Sequence, residues 1–187
     1  MDDNNDCRDQ SEQGLVLGRS QMAKKLEYRP GDLVVYPCHG LGEIVGVETS
    51  EFGGVELRLY VISFEKDRMI LRVPVDKASG SGVRRVSTRD EMQKALTTLR
   101  GRARVKRTMW SRRAQEYEAK LNSGNPVSIA EVVRDLHRAA DQPEQSYSER
   151  QLYEAALDRL SREYAAVENI EQAVATKRLE DVLMKAA

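Results

Sequence analysis

Long apolar runs, cysteine, histidine and tryptophan are all scarce in this chain of 187 residues, and each scarcity removes a class of function. No stretch approaches the roughly 18 or more consecutive apolar residues that a membrane-spanning helix needs, so no membrane insertion is expected. The two cysteines, Cys7 in a polar segment and Cys38 in a Pro-Cys-His-Gly turn, cannot build a disulfide framework and lack the spacing of a zinc site. Both are read as free thiols. The two histidines, His39 and His137, lie far apart, and the chain has neither a His-x-x-His pattern nor a glycine-rich phosphate loop. An enzyme is therefore not expected, nor a metal, a cofactor or a small-molecule substrate. Cys38 beside His39 makes a poor nucleophile and base, because neighbouring side chains diverge and no third group orients them.

Net charge of one sign is missing as well, since 30 Lys and Arg balance 30 Asp and Glu. Only the distribution along the chain can point to a polyanionic partner. Residues 1–13 hold Asp2, Asp3, Asp6, Asp9 and Glu12 against Arg8, with no basic and then apolar leader, so a cytoplasmic location is expected. From Arg84 to Arg113 eleven basic residues (Arg84, Arg85, Arg89, Lys94, Arg100, Arg102, Arg104, Lys106, Arg107, Arg112, Arg113) stand against Asp90 and Glu91, a local balance of +9.

Three segments follow from pattern. Residues 1–26 are polar, acidic and without periodicity, the composition of a disordered tail. Residues 27–86 hold short β-branched or alternating runs, Leu33–Tyr36, Glu43–Val47, Leu57–Ile62 and Met69–Val75, with a further strand ending at Val86. Pro30-Gly31-Asp32 opens the first run and Gly53-Gly54 suits a hairpin turn. So many short strands in so few residues predict a small bent barrel of the SH3 or Tudor kind. Residues 87–187 change to helical spacing, giving an α+β chain whose second half is all α, with about five helices. Their expected starts are Thr88 with Glu91, Thr108, Ser128 with Glu131, Ser148 with Gln151, and Asn169 with Gln172.

The one tryptophan, Trp110, stands inside the cationic stretch. Two readings of it are open. With Ala114, Tyr117 and Leu121 it recurs at helical spacing and can line a core. Surrounded by Arg and Lys, it equally suits a surface that neutralises phosphates and presses an apolar wedge against a base step.

Several separate stretches, in order, resemble the CarD/CdnL family of bacterial transcription regulators from about Tyr28 to the C-terminus. They are Gly31-Asp32-Leu33-Val34-Val35-Tyr36-Pro37 with His39-Gly40, then Leu71-Arg72-Val73-Pro74, then Trp110-Ser111-Arg112-Arg113, then Ala130 to Leu136. The resemblance implies a Tudor-like domain that docks on the RNA polymerase β subunit, and a helical domain that touches promoter DNA at the upstream edge of the melted bubble. It implies a location at the nucleoid through the polymerase. The docking domain is shared with a transcription-repair coupling factor, a DNA-translocating ATPase, but this chain has no P-loop.

Carried over residue by residue, the resemblance places polymerase contact on Leu71, Arg72 and Pro74 with Val61 and Ile62 of the neighbouring strand. It makes Trp110 the wedge and Arg112 and Arg113 phosphate ligands; Lys106 and Arg107 join them on charge. Ser50-Glu51 departs from the pattern, being neutral to acidic where some relatives are basic. The competing expectation is an interaction adaptor whose basic helical segment meets an acidic protein and not DNA.

Overall fold

Short runs rich in β-branched residues between Leu33 and Arg85 build five antiparallel strands in the computed structural model, which describes residues 27–78, 80–105, 108–138 and 145–185. The strands are β1 (Leu33–Tyr36), β2 (Gly40–Phe52), β3 (Val55–Phe64), β4 (Met69–Pro74) and β5 (Arg84–Arg85), in sheet order β4-β3-β2-β1-β5. The expected disordered tail, and with it Cys7, lies outside the described residues.

Gly53 and Gly54, at φ +60° and +79°, form the two-residue turn that sets Phe52 opposite Val55, a conformation that asks for positive φ at both central positions. An irregularity between Ile44 and Gly46 bends β2 and leaves Val45 turned out. One face of the bent sheet closes over Val34, Ile44, Tyr60, Ile62, Phe64 and Val73, with Tyr28 donating from its hydroxyl to the Val83 carbonyl. Each such side chain contributes roughly 1.5–3 kcal/mol by leaving water. The expected barrel is not closed: the edge strands β4 and β5 do not pair among the described residues.

The helices are α1 (Arg89–Leu99), α2 (Trp110–Asn122), α3 (Pro126–Leu136), α4 (Tyr147–Glu168) and α5 (Gln172–Met184). Thr88 and Glu91 form the expected capping box. The other starts differ. Asn125 caps α3 and Pro126 takes its first position, where fixed φ and a missing N–H are tolerated, so Ser128 lies inside the helix. Ser146 and Glu149, not Ser148 and Gln151, make the box of α4. Asn169 ends α4 in the left-handed region at φ 53°, and Glu171 precedes α5. Thr108 is displaced by Met109, whose side chain caps nothing. The helical core is one cluster that includes Met92, Leu99, Tyr117, Val132, Leu160 and Leu179. In α5 the buried stripe is Ala175, Leu179 and Leu183, whereas Val174 is exposed.

The two halves meet through polar side chains of α4. Glu163, 2% exposed, accepts from Arg84 Nη1 at 2.7 Å and Nη2 at 2.9 Å, from Ser87 N at 3.1 Å and from Ser87 Oγ at 2.7 Å. Arg84 Nε also donates to the Gly124 carbonyl at 3.0 Å. One turn away, Arg159 donates to the carbonyls of Pro37 and Leu121, at 3.1 and 3.0 Å, and to that of Cys38. Gly124 has φ +67°, and a Cβ there would stand 3.3 Å from Pro37 Cα, so a side chain would crowd this junction. Among the described residues no helix is long and apolar enough to cross a membrane.

Candidate functional site

The helical surface begins at the start of α2. Met109 at its N-cap is 80% exposed and makes no side-chain capping bond, and α2 has no acidic residue in its first turn. The positive end of the helix dipole is thus left open, an arrangement suited to an anion. Trp110 is the first helical residue and is half-buried, leaning on the helical core without being sealed in it. Its burial lies between that of a sealed core residue and that of a projecting surface ring.

Arg112 points outward and has no ion pair among the described residues. Arg113 does not share that disposition: its side chain is 18% exposed, it lies 5.4 Å above the Trp110 ring centre, and it reaches Glu149 Oε1 at 3.7 Å. An i+3 residue on this helix falls on the face that carries the indole, which is why Arg113 lies against Trp110 while Arg112 does not. Lys106 and Arg107 lie outside the described residues.

The connection from α1 to α2 adds what residue-by-residue transfer left out. Arg100, Arg102 and Arg104 are exposed. The Arg104 N–H donates to Asp135 Oδ1 at 3.0 Å, and the buried Asp135 also accepts from Arg134 Nη2 at 2.7 Å, so the loop is tied to α3. The alternation of arginines around Gly101 was visible in the sequence as charge; nothing local signalled the carboxylate 31 residues on that holds them.

Other members of the cationic stretch are engaged elsewhere. Arg84 belongs to the Glu163 network, Arg85 stacks on Tyr28 and donates to the Glu27 carbonyl, and Arg89 lies 4.0 Å from Glu168.

On the sheet, strand parity sorts the five expected polymerase contacts. Arg72 and Pro74 point to the outer face, with Ile70, which is 57% exposed. Val61 pairs with Arg72 and shares that face, yet is buried. Ile62 is sealed in the sheet core at 0% exposure and presents no side chain, whereas Leu71 opposite it is half-buried and packs partly against the same core. Period-two alternation puts adjacent strand residues on opposite faces, so Leu71 and Ile62 lie on the face opposite to Arg72. Arg72 Nε donates to Glu48 Oε2 at 2.8 Å across β3, and this hydrogen bond raises the guanidinium's pKa. The far edge of β4 has no partner strand among the described residues.

The neighbours Cys38 and His39 do not form a reactive pair. His39 sits between the rings of Tyr36 and Phe64, at centroid distances of 5.5 and 5.3 Å, and the Cys38 side chain is exposed. Among the described residues no group of three or more His, Cys, Asp or Glu could hold a metal ion.

The chain thus combines a small antiparallel sheet with five helices, the second of which starts on a tryptophan among arginines. Residues 28–87 match the family described as the CarD-like/TRCF RID domain, and residues 94–180 match that described as CarD, C-terminal domain. The chain belongs to the CarD-like family. It is 27% identical over 143 residues to "Putative transcription factor YdeB" of Bacillus subtilis (strain 168), covering 76% of this chain and 94% of that relative.

Proposed function

We propose that this protein is a transcription regulator that docks on the RNA polymerase β subunit through its sheet and stabilises the open promoter complex through the start of α2. The single observation that carries the reading is the disposition of Trp110. It is half-buried at an uncapped helix start, beside the exposed Met109 and Arg112.

A protein favours open promoters by binding the open form better than the closed one. An indole laid against the upstream end of the duplex replaces stacking lost where the strands part, and unstacking costs on the order of a few kcal/mol per step. Arg112, with the exposed Arg100, Arg102 and Arg104, supplies phosphate contacts that are salt-sensitive and indifferent to sequence. Such contacts are weak by themselves. Docking through the outer face and free edge of β4, where strand addition is geometrically available, converts DNA contact into an intramolecular event. The implied location is the cytoplasm, at the nucleoid with the polymerase.

The test is the lifetime of open complexes with wild-type protein and with Trp110→Ala, alongside capture of the β subunit. The expected outcome is a shortened lifetime with capture preserved. A lifetime equal to wild type in a folded variant returns Trp110 to core packing.

A further inference from the structure

We infer that α4 is a rigid strut that fixes the Trp110 wedge relative to the docking sheet, with Arg84 and Glu163 as its positioning pair. The inference rests on the function proposed above and concerns how its two surfaces are held together.

One helix touches both. At its start Glu149 meets Arg113, whose guanidinium lies over the Trp110 ring. Further along, Asp158, Arg159 and Glu163 each grip a different part of the sheet domain. Asp158 takes Lys66 Nζ from the β3–β4 turn at 2.6 Å, Arg159 takes the carbonyls of the β1–β2 turn, and Glu163 takes Arg84 of β5. Glu149 and Glu163 stand 14 positions apart in an unbroken helix, a span of about 21 Å. Neither end moves without the other.

The chemistry of the grip points to orientation more than to cohesion. A buried ion pair seldom outperforms well-packed apolar residues in net stability, because both charges lose their water. What it adds is direction: Glu163 accepts two parallel bonds from a planar guanidinium and two more from Ser87, which admits little rotation. Arg84 is in turn held by the Gly124 carbonyl of the α2–α3 turn. The two-residue strand β5, which leads into α1, is thus pinned from two sides.

The experiment places nitroxide labels at Glu56 on the sheet and Gln115 on α2, both exposed, in a chain whose two cysteines are serine. Interdomain distances are measured by pulsed electron spin resonance, and open-complex lifetime and β-subunit capture are measured on the same proteins. Wild type should give one narrow distance distribution. Glu163→Gln should broaden it and shorten the open-complex lifetime several-fold, with capture and Trp110 fluorescence unchanged. Should Glu163→Gln fail to fold, Arg159→Lys loosens the same junction from its less enclosed end and is expected to behave alike. A broadened distribution with an undiminished lifetime, or a distribution that stays narrow in both variants, overturns the inference. Trp110→Ala separates this from the wedge itself. If it leaves lifetime unchanged while the junction variants shorten it, the wedge fails and the strut stands; the reverse pattern removes the strut and leaves the wedge.

Discussion

Arg113 holds its guanidinium carbon 5.4 Å from the centre of the Trp110 ring while its Nη2 lies 3.7 Å from Glu149. A cation over an indole contributes about 0.5–2 kcal/mol, more as the pair leaves water. The side chain therefore supports the indole on one of its faces.

Arg113→Ala is expected to lower stability by about 1–2 kcal/mol and to shift the emission of Trp110, the one tryptophan in the chain. Open-complex lifetime should fall with it. Denaturant titration and fluorescence check the first two effects, and an unshifted emission would show that the indole does not depend on this contact.

Arg112 is outward and should behave differently. Arg112→Ala should leave stability within about 0.5 kcal/mol of wild type and reduce the slope of log affinity against log salt by about 0.9 on forked DNA. The same titration on fully paired DNA and on an acidic peptide addresses the adaptor alternative. Preference for the peptide, with a slope on DNA that ignores Arg112, would favour the adaptor.

On the sheet, Arg72→Glu is expected to weaken capture of the β subunit with at most a small loss of thermal stability, since the residue is exposed although the change removes its ion pair and sets like charge beside Glu48. Ile62→Ala should do the opposite, costing about 2–5 kcal/mol of stability through a core cavity and affecting capture only as far as it unfolds the domain. A folded Ile62→Ala variant with lost capture would reinstate that residue as a contact.

His137 supplies a pH dependence. Burial drives its pKa below the ordinary 6.5 and outweighs the opposing pull of Glu180. Below pH 6.5 the unfolded chain therefore binds the proton first, so stability falls as pH drops through the window between 6.5 and the lower folded value. The slope from this one group is at most about 1.4 kcal/mol per pH unit. Thermal unfolding between neutral and mildly acidic pH should show the decline, and His137→Gln should flatten it; a parallel decline in both proteins would assign the effect to other groups.

What was legible in the sequence was whatever depends on near neighbours. The Gly53-Gly54 hairpin, the Thr88 capping box and the alternation along β4 each rest on a few adjacent residues. The sequence pattern puts the start of α4 two residues late: Ser146 and Ser148 both stand three residues before Glu or Gln, and the capping box forms on the first. Asn169 fitted the pattern of a start but serves as an end, because asparagine suits both an N-cap and a left-handed residue. Of the site, Trp110 and the cationic stretch could be read directly. Which arginines face water could not, since Arg84 and Arg113 take their partners 79 and 36 positions away in the chain.

Asp135 shapes what an approaching ligand meets. Its carboxylate lies under the loop that bears Arg100, Arg102 and Arg104, where an unneutralised negative charge would cancel part of their field. Arg134, bonded to it at 2.7 Å, quenches it in place, and the pair is buried. The outward guanidinium groups thus keep their positive potential, which reaches farthest in dilute buffer, where screening is weakest.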